Sequence, residues 1–304
     1  MPTPPIVVGV DDSDAAPRAV AQAIAFAAAI DAPCRLVHAV RSPWGSTPAP
    51  DASQVEALEA AAIAAARARV TTVLKGHVTP ALLEHMTVGL GRASVQLRDV
   101  ADEANAQLIV IGGKRHSTFG RWFGSSTGHG LARVADRPVL VTGPSNGPVR
   151  RILAAVDFSE IGKSVLAMAE RYAAALHAEL RVVSVIEPLP VTPGVTTVID
   201  ADEYYHWAEG QLAKDLWPLV TYPGADKVIR VGHPVEVLLR ELTDWAADLV
   251  VLGSHGRNAV ERALLGSVSE SLLNQLPASL LLVPPARRAT VRARALEPHL
   301  ADAR

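Results

Sequence analysis

The sequence predicts an α/β protein of two tandem doubly wound domains, each a five-stranded parallel sheet with helices on both faces. Three observations predict it. The chain has 304 residues, enough for two domains of ordinary size. Its second half repeats the order of motifs in its first. Within each half, short apolar runs alternate with helix-prone stretches, the pattern of parallel strands joined by crossover helices.

The repeat is carried by four matched segments. Ile6-Val7-Val8-Gly9-Val10-Asp11-Asp12-Ser13 corresponds to Ile152-Leu153-Ala154-Ala155-Val156-Asp157-Phe158-Ser159, both apolar runs ending in Asp-x-Ser. Gln107–Gly112 corresponds to Asp248–Gly253, Phe123-Gly124-Ser125 to Leu265-Gly266-Ser267, and Val139-Leu140-Val141 to Leu281-Leu282-Val283. The offset is 141 from Gly112 to Gly253, then 142 from Gly124 to Gly266 and from Val141 to Val283. On this alignment the loop between the two glycines is one residue shorter in the first half. Gly143-Pro144-Ser145-Asn146-Gly147-Pro148 has the composition of a linker. The units are therefore 1–145 and 149–286, with a basic tail, 287–304, that reads as a solvated end.

In chain order, Ile6–Val10 is a near-continuous apolar run, as in a strand buried on both faces. Asp14 to Ile30 is alanine-rich and suits a helix. Arg35–Val40 is a second strand, and Asp51 to Lys75 a long helix that Asp51 or Ser53 is able to cap. Leu82–Val88 reads as a third strand, Ala93–Asn105 as a helix and Leu108–Ile111 as a fourth strand. A helix after Ser125 and the strand Val139–Val141 complete the half. The second half repeats this order with strands at Ile152–Val156, Leu180–Val185, Lys227–Val231, Leu249–Leu252 and Leu280–Val283, and Pro188 to Pro193 fill a loop. Ser13 and Ser159 are expected to cap the helices that follow them.

Composition narrows the function classes. Hydrophobic residues make up 49% and charged residues 20%, as in a globular protein with sizeable cores. A net charge of −2 favours neither nucleic acid nor an anionic membrane as partner. The single cysteine, Cys34, excludes a disulfide framework or a cysteine-based zinc site within one chain, and His116, His129 and His233 lack metal-ligand spacing. No apolar run approaches the roughly 20 residues that span a bilayer. The N-terminus has no basic start or cleavage site, so a cytoplasmic location is expected.

The chemistry is concentrated after the fourth strand of the second half. Gly253-Ser254-His255-Gly256 is followed by nine residues, Arg257 to Leu265, and then Gly266-Ser267-Val268. Glycines let backbone N–H groups approach an anion with no Cβ in the way. A helix beginning at Ser267 adds unpaired N–H groups and a favourable dipole. This is not a Walker loop, since no Gly-Lys-Ser/Thr follows. Nor is it the dinucleotide turn, which follows the first strand. Spacing alone shows an anion site or ordinary turns with a helix cap. His255, Arg257 and Arg262 lie in or near the loop, and no Ser-His-Asp set supports a hydrolase triad.

The motif Gly253-x-x-Gly256, nine residues, Gly266-Ser267 resembles the nucleotide-binding signature of the universal stress protein family. Val156-Asp157-Phe158-Ser159-Glu160 and Gly232-x-Pro234 are also similar to that family, and the resemblance covers nearly the whole chain, once per half. It implies a Rossmann-like fold of the adenine nucleotide alpha hydrolase type and ATP, with Mg²⁺ held by phosphates and water, as cofactor. It implies Asp157 and Gly253 at the ribose, backbone contacts from Val185 to adenine, and Gly256, Gly266, Ser267 and Val268 at the phosphates. It further implies that the two halves pack as an internal pseudo-dimer through their final strands; pairing of whole chains is left open.

The first half departs from the pattern. Asp11, Ala39, Gly112, Gly124 and Ser125 occupy the matching positions of a second site, but Arg115 or its neighbour stands in place of the second glycine. Either Arg115 and Lys114 meet an anion, or the site has degenerated because a displaced loop loses its N–H geometry. The sequence favours the second. Three functions follow: a nucleotide-binding regulatory module, a slow ATPase relying on Glu261 and Arg257, or a scaffold that binds no nucleotide. Stress response is implied by the family alone, and efficient catalysis is not expected.

Overall fold

Alternation of β-branched runs with alanine-rich stretches produces regular strand–helix units. The structure, a computed structural model, describes residues 3–41, 52–113, 126–145, 147–188, 200–255 and 265–285. The first half comprises β1 (Ile6–Gly9), α1 (Ala16–Ala29), β2 (Cys34–Val40), α2 (Ala52–Leu74), α3 (Pro80–Glu84), β3 (Thr87–Leu90), α4 (Ala93–Glu103), β4 (Leu108–Gly112), α5 (Ser126–Val134) and β5 (Val139–Thr142). The second comprises β6 (Arg151–Ala155), α6 (Glu160–Leu176), β7 (Glu179–Ile186), α7 (Ala201–Gln211), β8 (Asp226–Val231), α8 (Pro234–Asp244), β9 (Leu249–Gly253), α9 (Ser267–Gln275) and β10 (Ser279–Val283).

Three local expectations are corrected. The strand expected at Leu82–Val88 is confined to β3. Pro80 fits the first turn of a helix that Thr79 caps by accepting from Leu82 N at 3.4 Å, so 80–84 coil into α3 first. Ser53 lies inside α2 rather than at its cap, and Asp51 is outside the described residues. Ser13 does not cap α1: its hydroxyl donates to Asp11, and Ala15 is the N-cap. Ser159 does cap α6, accepting from Gly162 N at 3.1 Å. Most of the loop expected at Pro188 to Pro193 also lies outside the described residues.

Within each half the five strands are parallel, in the orders β3-β2-β1-β4-β5 and β8-β7-β6-β9-β10. The two sheets are joined. β5 and β10 pair antiparallel, so the halves share one ten-stranded sheet. Helices α1, α2, α6 and α7 cover one face and α4, α5, α8 and α9 the other, burying two apolar layers. Strands buried on both faces explain the runs without polar alternation, such as Ile6-Val7-Val8, all 0% exposed.

The ladders also revise the offset. Gly112 pairs with Thr142 and Gly253 with Val283, which makes Thr142 and Val283 equivalent positions, 141 apart rather than 142. At this offset Leu140 and Leu281 are one position seen twice, and they pair with each other across the junction. Their neighbours exchange, Val141 with Leu280 and Val139 with Leu282, as an internal two-fold axis requires. The counterparts Phe26 and Tyr172 meet across the same axis with their rings tilted at 56° and centroids 4.9 Å apart, and burial holds the Tyr172 phenol up at about 12 against the pull of Arg171. The junction is close enough that a Cβ on Gly113 would lie 2.1 Å from Leu276 of the other half. The expected internal pseudo-dimer is thus formed through the final strands.

Candidate functional site

Each half reverses its strand order between its first and fourth strands, β1/β4 and β6/β9. Ligands of doubly wound sheets bind in the crevice outside the carboxyl ends of the strands at such a point.

In the second half, β6 runs into Asp157. Its Oδ1 accepts from Ser159 N at 3.1 Å and from the Ser159 hydroxyl, so the carboxylate is fixed in a turn just before α6. Val185 follows from strand geometry. Backbone groups of alternate residues point to opposite neighbours. Val183 O accepts from Val156 N towards β6, and Ile186 O accepts from Gly232 N on the other side. Val185 therefore aims its N–H and C=O to the β6 side, beyond the point where β6 has ended. Ala39 is placed the same way, because Val37 O accepts from Val10 N and Val40 O from Gly91 N.

The glycine–serine loop is pinned at both ends. Gly266 N donates to Ser254 O at 2.9 Å, and Ser269 Oγ donates to Gly253 O at 2.6 Å. Gly266 is the N-cap of α9 in extended conformation (φ −62°, ψ 144°), with no side-chain cap. The N–H groups of Ser267 and Val268 consequently open the helix without a capping bond from the residue at the N-cap. His255 is buried beside Ser254, its Nδ1 2.8 Å from the Ser254 hydroxyl, rather than a surface loop residue. Gly256, Arg257, Glu261 and Arg262 lie outside the described residues. Gly253 has a packing role as well: a Cβ there would stand 2.4 Å from Ile161 Cγ2, so the first turn of α6 lies directly on it.

The first half is built differently. Asp11, Ala39 and Gly112 line one cavity of about 200 Å³ at the carboxyl edge, with α1 on one side and α4 on the other. Asp11 repeats the turn of Asp157, accepting from Ser13 N at 3.1 Å. Arg115, Gly124 and Ser125 lie outside the described residues. Sequence reasoning missed His38. It is 8% exposed, lines the cavity and holds Val10 O at 2.7 Å through Nδ1. The available signal was a histidine two residues from the carboxyl end of a strand otherwise expected to be buried. Thr127 and Ala15 line the same cavity and were also missed.

Among the described residues no group of three or more His, Cys, Asp or Glu is placed to hold a metal, and no helix is long and apolar enough to cross a membrane.

The fold and site define a class: tandem Rossmann-like α/β units joined edge to edge, each with one reversal of strand order. A sequence model of the universal stress protein family matches residues 3–143 and 148–284. The chain belongs to the universal stress protein family. A universal stress protein encoded in the QAH/OAS sulfhydrylase 3′ region of Thermus aquaticus is 31% identical over 134 residues, covering 44% of this chain and 98% of the relative. A universal stress protein from Archaeoglobus fulgidus superposes with a TM-score of 0.61 at 16% identity, covering 93% of this chain and 99% of that one. A structure from Pseudomonas aeruginosa UCBPP-PA14 gives 0.62 at 18%, covering 93% and 94%. The last two matches span both halves and speak to the fold.

Proposed function

We propose that this protein is a stress-response regulatory protein that binds ATP through its second half. The observation that carries the reading is the start of α9. Gly266 leaves the first N–H groups of the helix open at the switch point, and hydrogen bonds to Ser254 and from Ser269 hold that start against the end of β9. Backbone donors at a helix start suit phosphate oxygens. Asp157 and the Val185 backbone stand along the same edge, where a ribose hydroxyl and a base require acceptors and a donor. Mg²⁺ fits this site only as a companion of the phosphates, completed by water, because the nearby described residues supply few carboxylates. Binding would alter the contacts offered to partners.

The test is calorimetric titration with Mg-ATP after bound nucleotide is removed. About one site per chain is expected, lost in Gly266→Asp. The extended backbone at Gly266 accepts aspartate, a favoured N-cap, so α9 stays intact while the carboxylate repels phosphate. Undiminished binding by that variant would refute the assignment. Absence of saturable binding would leave a scaffold that takes no nucleotide.

A further inference from the structure

We propose that the aromatic face of α7 is the docking surface for the chain's own basic segment, residues 287–294. The inference concerns a helix away from the glycine–serine loop and needs no nucleotide to be bound.

The face is defined by exposed rings. Trp207 is 61% exposed, the most exposed large hydrophobic side chain among the described residues. Its ring stacks on Tyr204 with 6.2 Å between centroids and 29° between planes, and Tyr204 leans on Tyr205 at 5.6 Å. The fold does not demand these rings, because α2, the corresponding helix of the first half, contains no aromatic residue. The opposite side of the helix is anchored by Ala208 and, just beyond its end, Leu212, both buried in the core.

The charges around the rings specify the occupant. Residues 200–211 contain Asp200, Asp202, Glu203 and Glu209 and no lysine or arginine. All four acids are exposed, and none forms an ion pair among the described residues. Asp200 caps α7 by accepting from Asp202 N at 3.0 Å, and Asp202 and Glu203 complement the helix dipole in the first turn. Helix stability thus accounts for three of the acids but not for Glu209, nor for the rings. Glu203 stands four residues before Trp207 and Tyr204 three before, so the three share one stripe of the helix. A ring face beside a carboxylate suits a cation that stacks flat while it bonds the acid, which is the chemistry of arginine. The chain makes that contact elsewhere. The Arg181 guanidinium lies 4.7 Å over the Trp245 ring while it bonds Asp226 and Glu241.

Residues 287–294 carry Arg287, Arg288, Arg292 and Arg294 and no acid, four positive charges to meet four negative ones. The segment lies outside the described residues, but its origin does not: Pro285 follows β10 at the carboxyl edge of the sheet. The start of α7 lies at the same edge. Tyr222 Oη donates to Ala178 O at 2.9 Å beside the start of β7, so the chain after α7 has reached the amino edge. The helical run from Ala201 to Leu219 rises about 25 Å, which returns its first turn to the carboxyl edge. Three strand spacings from β10 to β7 amount to about 15 Å, and one layer of packing adds about 10 Å. Extended chain covers about 3.4 Å per residue, so Arg292 and Arg294 reach about 24 and 30 Å from Pro285. Both span the gap, and the route crosses the carboxyl ends of β9 and β6.

The test is hydroxyl-radical footprinting of the purified full chain, read by mass spectrometry as the oxidation rate of Trp207. Wild type is compared with a variant carrying Arg287→Ser, Arg288→Ser, Arg292→Ser and Arg294→Ser. Trp207 should oxidise about fivefold faster in the variant, while Trp217 and Trp245 keep their rates and report an intact fold. Glu203→Lys, an exposed change on the helix, should unmask Trp207 in the same way. Protection in the wild type should fade at high salt and survive dilution, because the segment belongs to the same chain. Equal Trp207 rates in wild type and the serine variant, or in wild type and Glu203→Lys, overturn the proposal. Protection that disappears on dilution also overturns it and assigns the face to a second copy of the chain.

Discussion

Adding one methyl group at each of two equivalent glycines should give opposite results. Gly253→Ala places a Cβ 2.4 Å from Ile161 Cγ2, more than an ångström inside ordinary carbon–carbon contact, with His255 O at 3.1 Å on another side. Backbone or α6 must shift, and overpacking of this kind costs about 1–3 kcal/mol. Gly112→Ala meets Ala19 Cβ at 3.7 Å and Ala15 Cβ and O at 3.8 Å, all ordinary contacts. It makes contact without strain and reduces unfolded-chain entropy, so it should be neutral or stabilise by up to about 1 kcal/mol. The assay is urea unfolding, read as a shift of midpoint at constant slope. Ile161→Ala combined with Gly253→Ala should recover most of the loss attributable to the clash, seen as a coupling energy in the double-mutant cycle. Equal costs at the two glycines, or strict additivity with Ile161→Ala, would refute the claim that Ile161 packs on Gly253 while Ala15 leaves room beside Gly112.

Three further outcomes are expected. Phe26→Leu and Tyr172→Leu should couple by about 0.5–1.5 kcal/mol in a denaturation cycle, because the tilted rings touch across the junction; independent effects would mean that the halves are not held there. Ser159→Ala should cost about 1 kcal/mol more than Ser13→Ala, since only Ser159 accepts the capping bond from Gly162 N; equal losses would remove the distinction between the two turns. Burial raises the Cys34 thiol from 9.0 to about 11, so the folded protein keeps this proton where the unfolded chain loses it. The associated stability is full below pH 9 and is lost as pH rises towards 11, and Cys34→Ala should flatten the unfolding midpoint across that window.

The periodicity of the chain carried most of the strand–helix order, because strands buried on both faces leave unbroken apolar runs that few other elements produce. The weakest element was β3. Leu82, Leu83 and Met86 are apolar enough for a strand, but Thr79-Pro80 starts a helical turn and delays the strand to Thr87. Capping was legible at Ser159 and misleading at Ser13, where an identical Asp-x-Ser turn leads into a helix that begins two residues later than its counterpart's spacing implies. The site followed the same division. Asp157, Val185, Gly253 and Gly266 are fixed by their positions at strand ends and a helix start, which a motif encodes locally. His38 was not legible, since a lone histidine in an apolar strand has no partner nearby in sequence.

By itself the sequence determined that one α/β unit is used twice and in what order most of its strands and helices follow. These properties depend on residue type and local spacing. Only the tertiary structure decided how the units meet and which of the two glycines is tightly packed. The antiparallel pairing of β5 with β10 makes one sheet of two, and the ladders beside it set the true offset of the repeat. The packing depends on Ala15 or Ile161 reaching a glycine from a different strand. Such long-range contacts arise from packing, which no short run of residues specifies.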